Sequence, residues 1–496
     1  LVGGHRDLPP RHRMLRDAIE WSYDLLDPGE QTLFRRLGVF VGGFTLSSTE
    51  AVCNSGVDLP IDVLDGLGSL LSNSLLQRRR DQQGGLKSEA RFSMLETIRE
   101  YALERLTNSG EEEAIRCVHT EYFLALAEAG DVQLRGPEQT EWLARLETEH
   151  GNFRGAMNWA LTQGEVELGL QLAGELGWFW ELRGHYTEGR ERLASALALY
   201  PPPTTGKGHT AVAARALNSA GRLAYAQGDI HNGRLLLDEA LAIATELDDK
   251  WLMLLTLHNL GNVASAEGNE ALARTYYEES LVAAREYGDP WGLAWALMGM
   301  GYICINGGDY EGARIYFEES LEVRRGMRDR WGIARSFTEL GATARLQGDY
   351  HKARAFYDES QAIHEELGHK GWVSNLMYSL GHVALHLGEY TQAEEQFKGA
   401  MTFYTESGDR VSAASCIAGF GLVAYYRFEK ERAATLFGAA GSIHRVSNYH
   451  IEAFDRAEFE AAINSIREAA TGNQVIADAW AAGEKMTLEE AIDYAL

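Results

Sequence analysis

Two consecutive stretches of the chain decide its fold: WGLAWALMGMGYICINGGDYEGARIYFEESLEVRRGMRDR (291–330) and WGIARSFTELGATARLQGDYHKARAFYDESQAIHEELGHK (331–370). The two stretches align without a gap, and the same residue types recur every 40 residues. Self-similarity at a fixed period of this length predicts an array of stacked structural units, each of which buries its apolar face against its neighbours.

Two columns of glycine run through this array. A glycine occupies the first column in six successive copies, and the second column follows seven residues later. In the second column the glycine is followed by Asp, Asn or Glu. The glycine is a helix-ending signal and the next residue a helix-starting signal, which predicts two helices joined by a tight turn in each unit. The first column is Gly221, Gly261, Gly301, Gly341, Gly381 and Gly421, and the second is Gly228, Gly268, Gly308, Gly348 and Gly388, with Phe428 in the last copy.

Small, large and small side chains follow one another on one face of the second helix in each unit. In two copies these residues are Ala313, Phe317 and Ser320, and Ala353, Tyr357 and Ser360. Spacings of four and three place them on one helical face, where a small residue allows close helix approach and an aromatic ring fills the gap. The pattern resembles the tetratricopeptide repeat, with longer helices than the common unit.

The array has weaker copies at its start and loses its period near its end. A weaker copy runs upstream through Gly177 to Ala196, a degenerate first copy starts near Asn152, and the insert 201–206 interrupts the register. Terminal units of solenoids need an atypical outer face, which predicts a helical cap after the period ends. We therefore expect a right-handed tetratricopeptide α-solenoid over 151–447 and a C-terminal cap over 448–496, with cap helices at 451–469 and 474–482.

The first 150 residues lack the period and predict a small helical domain with one hairpin. We expect a winged-helix domain over 1–110 and a helical connector over 111–150, so the whole chain is mainly α. The predicted signals are a helix over 15–26, a capping box at Asp27–Glu30, a capping box at Ser47–Glu50, a helix over 62–72, hairpin strands at 75–80 and 91–94 joined through Gly84–Gly85, and a helix over 95–106.

Several stretches resemble the bacterial signal-transduction NTPases of the STAND or NB-ARC type. In that family a P-loop ATPase module precedes a winged helix and a tetratricopeptide superhelix, and a LuxR-type DNA-binding domain often comes last. The resemblance implies that this chain is a middle piece, lacking the ATPase module before Leu1 and the DNA-binding domain after Leu496. The stretches that carry it are LRDAIEWSYDLLDPGEQTLFRRLGVFVGGFTL (15–46), RFSMLETIREYALERL (91–106), LRGPEQTEWLARLETEHGNFRGAMNWAL (134–161) and ADAWAAGEKMTLEEAIDYAL (477–496).

Composition and charge exclude several classes of partner. The chain carries 72 acidic against 46 basic residues, a net charge of −26, which repels phosphate backbones and anionic lipid surfaces. It has no run of eighteen apolar residues and no signal-peptide pattern, and its four cysteines form no CxxC pair. We therefore expect a cytoplasmic protein that binds neither nucleic acid nor a membrane.

No sequence motif supports catalysis or a cofactor. A phosphate-binding loop with its Lys and Ser or Thr is absent, as are a GxSxG elbow and a Cys-His pattern. The expected recognition helix of the winged domain, 62–72, contains two Asp and no Lys or Arg. His382 and His386 stand at i and i+4, but the sequence shows no third ligand. We therefore predict no enzyme activity, no cofactor and no metal.

The remaining candidate site is the concave face of the solenoid, formed by the first helix of each unit. Aromatics, amides and arginines at inward positions of an otherwise acidic chain could hold a protein, a peptide or a small-molecule effector. The predicted groove residues are Arg215, Asn218, Arg222, Tyr225, His258, Asn262, Trp295, Met298, Tyr302, Arg335, Thr338, Arg345, Asn375, Tyr378 and His382.

Together these features predict the regulatory and sensor region of a STAND-type signalling ATPase or transcriptional regulator. Its other expected partner is the upstream ATPase module, if the full gene carries one. Two alternatives stay open: a free-standing tetratricopeptide scaffold that assembles protein complexes, and, with less support, a DNA-binding winged-helix factor. The sequence does not identify the effector, the oligomeric state or the regulated genes.

Overall fold

A computed structural model describes residues 10–56, 58–79, 89–200, 210–447 and 453–496. The fold is mainly α: a winged-helix domain is followed by tetratricopeptide helix pairs of an α-solenoid. The chain divides into two compact units, Leu1–Tyr287 (the first unit) and Gly288–Leu496 (the second unit). No helix among the described residues combines the length and the apolar character needed to cross a bilayer.

The first unit contains the winged helix, the connector and the first helix pairs. Its elements are α1 (Pro10–Asp24), α2 (Pro28–Leu37), β1 (Phe44–Thr45), α3 (Leu46–Cys53), α4 (Val63–Ser72), β2 (Gln77–Arg79), β3 (Arg91–Ser93), α5 (Glu96–Ser109), α6 (Glu112–Gln133), α7 (Gln139–Thr148), α8 (His150–Gln163), α9 (Val166–Glu175), α10 (Gly177–Arg183), α11 (Tyr186–Leu199), α12 (Ala211–Ala226), α13 (Ile230–Glu246), α14 (Lys250–Ala266) and α15 (Glu270–Tyr287).

Two capping boxes begin helices of the winged domain. At α2 the prediction is confirmed, because the Asp27 side chain accepts a hydrogen bond from the Glu30 amide and the Asp27 amide donates to the Glu30 carboxylate. The box predicted at Ser47–Glu50 is wrong by two residues. Thr45 has the extended backbone of an N-cap, and its hydroxyl accepts from the amide of Ser48.

The two predicted hairpin strands are present and pair with a third strand. β3 lies between β1 and β2 and is antiparallel to both, with Phe92 opposite Phe44 on one side and Arg78 on the other. β1 is only two residues long, too short to show alternation in the sequence. The predicted connection through Gly84–Gly85 lies outside the described residues, as does the insert 201–206.

The second unit consists of four helix pairs and the helices that follow them. Its elements are α16 (Pro290–Asn306), α17 (Tyr310–Met327), α18 (Arg330–Leu346), α19 (Tyr350–Glu366), α20 (Lys370–His386), α21 (Tyr390–Ser407), α22 (Arg410–Tyr426), α23 (Lys430–Ser447), α24 (Ala453–Gly472), α25 (Gln474–Gly483) and α26 (Leu488–Ala495).

Close helix contact explains the first glycine column. A Cβ added to Gly301 would lie 2.4 Å from a ring carbon of Phe317, and one added to Gly341 would lie 2.7 Å from the ring of Tyr357. Each large residue of the second helix thus packs directly over the glycine of the first helix in its own unit. The same contact joins Gly261 to Tyr277 in the first unit.

The second glycine column ends the first helix of each unit. Gly308 and Gly348 have φ of +75° and +77°, the left-handed conformation that glycine adopts without a steric cost. In the last copy Phe428 takes this conformation with φ of +65°, and its side chain is exposed. The substitution therefore leaves the turn in place.

The last helices pack closely against α23. A Cβ added to Gly438 would lie 2.5 Å from the carbonyl oxygen of Trp480, and one added to Gly483 would lie 2.0 Å from that of Thr435. Glycines on both helices therefore allow the backbones of α23 and α25 to touch. The predicted cap helices correspond to α24 and α25, and α26 is an additional helix.

Candidate functional site

The predicted groove residues lie on first helices of the repeats but differ widely in exposure. In the first unit they lie on α12 and α14, and in the second on α16, α18 and α20. Asn218, His258, Met298 and His382 are buried, Asn375 is exposed, and the others are partly buried. Several of them already bond to other side chains of the chain.

Arg215 on α12 is bound by two carboxylates. Its guanidinium lies 2.6 Å from a carboxylate oxygen of Asp131 and 2.8 Å from one of Glu175. Asp131 also pairs with Arg135, and both arginines lie over the ring of Trp251. This cluster ties the connector helix α6 to the repeats, so Arg215 holds the first unit together.

Arg222 is held in a similar way. Its Nε lies 2.8 Å from a carboxylate oxygen of Glu181, and its guanidinium lies 4.8 Å from the ring centre of Trp178. Only 15% of the Arg222 side chain is exposed. An anionic effector would have to displace Glu181 to pair with this arginine.

Amide side chains connect α12 to α14. Asn218 accepts hydrogen bonds from the Thr256 hydroxyl at 3.2 Å and from the Asn259 amide at 3.0 Å. Asn262 accepts from the Tyr277 hydroxyl at 2.7 Å. A buried amide with these partners specifies how neighbouring helices are positioned.

In the second unit the candidate residues surround three tryptophans. The ring centres of Trp295 and Trp331 are 5.6 Å apart, and those of Trp331 and Trp372 are 6.2 Å apart. Arg335 lies over Trp372 and donates to the Tyr302 hydroxyl at 2.7 Å. These five residues, with the exposed Asn375, form what we call the tryptophan face.

The tryptophan face offers surface that an effector could contact. Trp295, Tyr302, Arg335 and Trp372 are partly exposed, and Tyr404 donates a hydrogen bond to Asn375. Partly exposed aromatics beside an arginine and an amide are the side chains enriched in binding hot spots. Trp331 and Trp372 were absent from the predicted groove. Their signal in the sequence was the run of tryptophans near the start of successive units.

Glu339 is buried on the same helix as Arg335. It accepts a hydrogen bond from the Tyr302 hydroxyl at 3.0 Å and lies 3.1 Å from the Arg335 guanidinium. The Glu339 carboxylate therefore balances the positive charge of Arg335, which leaves little net charge to attract an anionic ligand.

Titration of Glu175 should make the local stability around the Arg215 cluster depend on pH. Burial raises its pKa from 4.5 to about 7, more than Arg215 lowers it. Between these values the folded state binds more protons than the unfolded state, so this group's stabilising contribution is lost as the pH rises towards 7 and above. We expect local stability to fall across this window relative to Glu175→Gln, measured as amide hydrogen exchange in α9 and α12. Equal pH slopes in the two proteins would contradict the shift.

The predicted histidine pair has a carboxylate neighbour. His382 is fully buried, and its Nδ1 lies 3.7 Å from Glu458 on α24, while His386 Nε2 lies 3.2 Å from the same carboxylate. Burial alone would raise the pKa of Glu458, but its contacts with the two imidazoles favour the charged form and lower the pKa strongly. The histidines therefore anchor α24 to the last repeats.

A buried junction joins the winged helix to the start of the repeats. Arg91 on β3 forms a two-pronged ion pair with Glu149, and all three of Arg91, Glu149 and Asn152 are buried. Asn152 accepts from the Val41 amide at 2.7 Å and donates to the Gly43 carbonyl at 2.9 Å. We call these five residues the wing junction.

At the wing junction there is little space between the winged domain and the first repeat helices. A Cβ added to Gly151 would lie 2.7 Å from the Val41 carbonyl oxygen. Phe40 packs against His119, which packs against Phe123 with ring centres 4.6 Å apart. The start of the repeats and the winged domain are therefore in close contact.

The expected recognition helix presents no positive charge. α4 buries Val63, Gly66, Leu67 and Leu70 against the domain, and its outer side carries Leu64 and Asp65. DNA readout needs cationic and amide side chains on this side. The outer side of α4 lacks such cationic side chains.

Family comparisons support the two-part organisation. A model described as "Tetratricopeptide repeat" matches residues 252–326 and 332–406. A model described as "Winged helix-turn-helix domain" matches residues 26–107. Both descriptions agree with the elements observed in these regions.

Two relatives come from Mycobacterium tuberculosis (strain ATCC 25618 / H37Rv). One, named as a proposed HTH-type transcriptional regulator, is 41% identical over 198 residues, covering 40% of this chain and 22% of the relative. The other, an uncharacterized protein, is 32% identical over 99 residues, covering 20% of this chain and 24% of the relative. The matches thus span less than a quarter of each relative.

Two solved structures show a distant likeness. A STAND protein with a tetratricopeptide repeat sensor from Pyrococcus horikoshii has 15% identity and a TM-score of 0.49, covering 94% of this chain and 68% of that chain. The apo quorum sensor NprR from B. thuringiensis has 13% identity and a TM-score of 0.49, covering 69% and 92%.

Proposed function

We propose that this chain is the regulatory and sensor region of a STAND-type signalling ATPase or transcriptional regulator. An effector binds the repeats, and the winged helix passes the resulting change to the rest of the protein. The observation that carries this proposal is the wing junction, which fastens the winged domain to the first repeat helices through buried polar contacts. The division into 1–110, 111–150, 151–447 and 448–496 belongs to the same proposal.

The winged helix has the features of a transmitting domain. Arg91 lies on the middle strand of its sheet, and Glu149 and Asn152 lie at the start of the repeats. Buried and fully paired polar groups favour one arrangement and are costly to separate. A shift of α8 must therefore either move the sheet or break these contacts, which is how a ligand on the repeats could bias the winged domain.

The effector is a protein, a peptide or a small molecule that contacts the repeat face. The tryptophan face offers partly exposed aromatic side chains and the exposed amide of Asn375. Arg215 and Arg222 are occupied by carboxylates of the fold, so we assign them to holding the helices of the first unit together. We propose no enzymatic activity for this chain.

The wing junction also distinguishes this proposal from its alternatives. A free-standing scaffold would need the repeats alone, and tight docking of a winged domain would serve no purpose in it. A DNA-binding factor would need cations on α4, where the outer side carries Leu64 and Asp65. A complete regulator can still bind DNA through another domain.

The test is a junction variant in a bacterium that carries the gene. Asn152→Ala removes the hydrogen bonds to Val41 and Gly43, and we expect it to alter the same transcripts as deletion of the gene while the chain remains folded. The reason is that the repeats lose their hold on the winged sheet. Transcript profiling measures the effect, and hydrogen exchange at residues 39–44 checks the loosening.

Asn158→Ala on the same helix is the matched control. The Asn158 side chain is exposed and accepts a hydrogen bond from Arg192, away from the wing junction, so its loss should leave both readouts unchanged. The scaffold alternative predicts instead that gene deletion dissociates a protein complex without changing a defined set of transcripts. Loosening at residues 39–44 with unchanged transcripts would show that the junction does not transmit a signal.

A further inference from the structure

Three side chains with metal-binding atoms meet where helices of the first unit come together. Glu147 lies near the end of α7, His150 is the first residue of α8, and His185 immediately precedes α11. One donor atom of each lies within 4.8 Å of the other two. In the described part of the chain, no other group of three or more His, Cys, Asp or Glu residues meets this geometry.

The separations between these donor atoms suit a tetrahedral ion. His185 Nε2 lies 3.1 Å from Glu147 Oε2, and a donor atom of His150 lies within 4.8 Å of the donor atoms of both. Zinc bonds to nitrogen and oxygen of about 2.0–2.1 Å place neighbouring ligand atoms about 3.3 Å apart. Side-chain rotations that shorten the longer separations would bring the three donor atoms to one ion.

His150 adds an independent sign of a ligand. It is only 6% exposed, and its Nε2 makes no hydrogen bond among the described residues, although Glu188 Oε2 lies 3.5 Å away. The ring is held by an edge contact with Phe179 and by the ring of His185, whose centre is 4.7 Å away. A buried nitrogen that makes no hydrogen bond is costly, and coordination to a metal would compensate it.

Nearby arginines determine which carboxylate can serve as a ligand. Arg154 and Arg192 both bind Glu188, so this carboxylate is already neutralised. Arg183 lies 3.6 Å from Glu147, beyond hydrogen-bond distance, and its side chain is partly exposed. No hydrogen bond to Arg183 therefore holds Glu147 away from an ion.

We propose that Glu147, His150 and His185 bind one divalent transition-metal ion of the zinc class, with water in the fourth position. Two imidazoles and a carboxylate suit Zn²⁺ and its first-row neighbours, whereas Mg²⁺ and Ca²⁺ favour oxygen ligands. The ion clamps α7, α8 and α11 beside Glu149, the junction residue that precedes His150. The assignment does not depend on the proposed sensory function.

Metal titration of the full, untagged chain tests the site. After chelator treatment we expect saturable binding of one Zn²⁺ per chain by calorimetry, and intense visible bands of four-coordinate Co²⁺. His185→Gln should weaken binding by at least about tenfold, because even outer-shell losses commonly cost about 10–100-fold in metal affinity. His185 is partly exposed, so this variant should fold, and Mg²⁺ should produce no saturable binding.

Two further variants locate the ion. His386→Gln removes one imidazole from the His382–Glu458 cluster and should leave the metal affinity unchanged. Arg183→Gln should tighten metal binding, because it removes a competing positive charge beside Glu147. Absence of stoichiometric Zn²⁺ binding would overturn the proposal. Full affinity in His185→Gln, or loss of binding in His386→Gln, would also overturn it.

Discussion

Gly301→Leu is expected to unfold the repeat around α16 and α17. The added Cβ alone would lie within 2.8 Å of three ring carbons of Phe317, whose side chain is fully buried. Overpacking commonly costs about 1–3 kcal/mol, and we expect at least the upper end because the ring has no free space to enter. Hydrogen exchange of α16 and α17, together with thermal melting, measures the loss.

Gly326→Leu is the matched control for this prediction. Gly326 lies near the end of α17, and a Cβ there would meet no atom within 4 Å. We expect no loss of stability, because leucine is a better helix former than glycine. Phe317→Leu in a Gly301→Ala background should restore part of the stability lost in Gly301→Ala alone. Equal melting of wild type and Gly301→Leu would show that the helices separate at little cost.

Asp329→Asn is expected to have a similarly large effect through a buried charge. Arg324 is fully buried, and its guanidinium lies 2.9 Å from Asp329 and 4.8 Å from the ring centre of Trp295. Removing one partner of a buried ion pair leaves an uncompensated charge and costs about 3–5 kcal/mol. Asparagine retains the oxygen that accepts from the Gly332 amide, so the helix cap is preserved and the charge is isolated.

Asp409→Asn provides the comparison at an equivalent position. Asp409 caps α22 by accepting from the Ser412 amide, and its change to asparagine should cost little because both residues are good caps. Arg324→Leu combined with Asp329→Asn should recover most of the stability, since an apolar side chain leaves no buried charge. Local exchange in α17 and α18 measures all three variants. A loss in Asp409→Asn equal to that in Asp329→Asn would assign the effect to the cap.

The repeat itself could be predicted from particular residues. Gly301 and Phe317 identify a close helix contact because a 40-residue period repeats both, and the structure places them in contact. Asp27 and Glu30 predicted the start of α2, because a capping box is completed within one helical turn. Interactions that close within one turn or recur at a fixed period can be read without knowing the fold.

Side-chain partners within the candidate site could not be predicted in this way. Arg324 and Asp329 occupy the columns that His364 and His369 occupy one unit later, where the two imidazoles face each other at 3.3 Å. Met298 was predicted to face the groove, yet it is fully buried beside Arg324. Neighbouring copies with the same backbone thus fill the space between helices with different chemistry.

The sequence by itself determined the order of the parts: the period, the glycine contacts and the helix caps are local or periodic. Only the tertiary structure decided that Arg91 pairs with Glu149, that Arg215 is shared by Asp131 and Glu175, and that His150 meets His185. These partners come from different helices and strands. Which side chains meet depends on how each element is rotated and shifted against the next. That arrangement is set by the packing of the whole unit, because no single segment fixes the position of its neighbour.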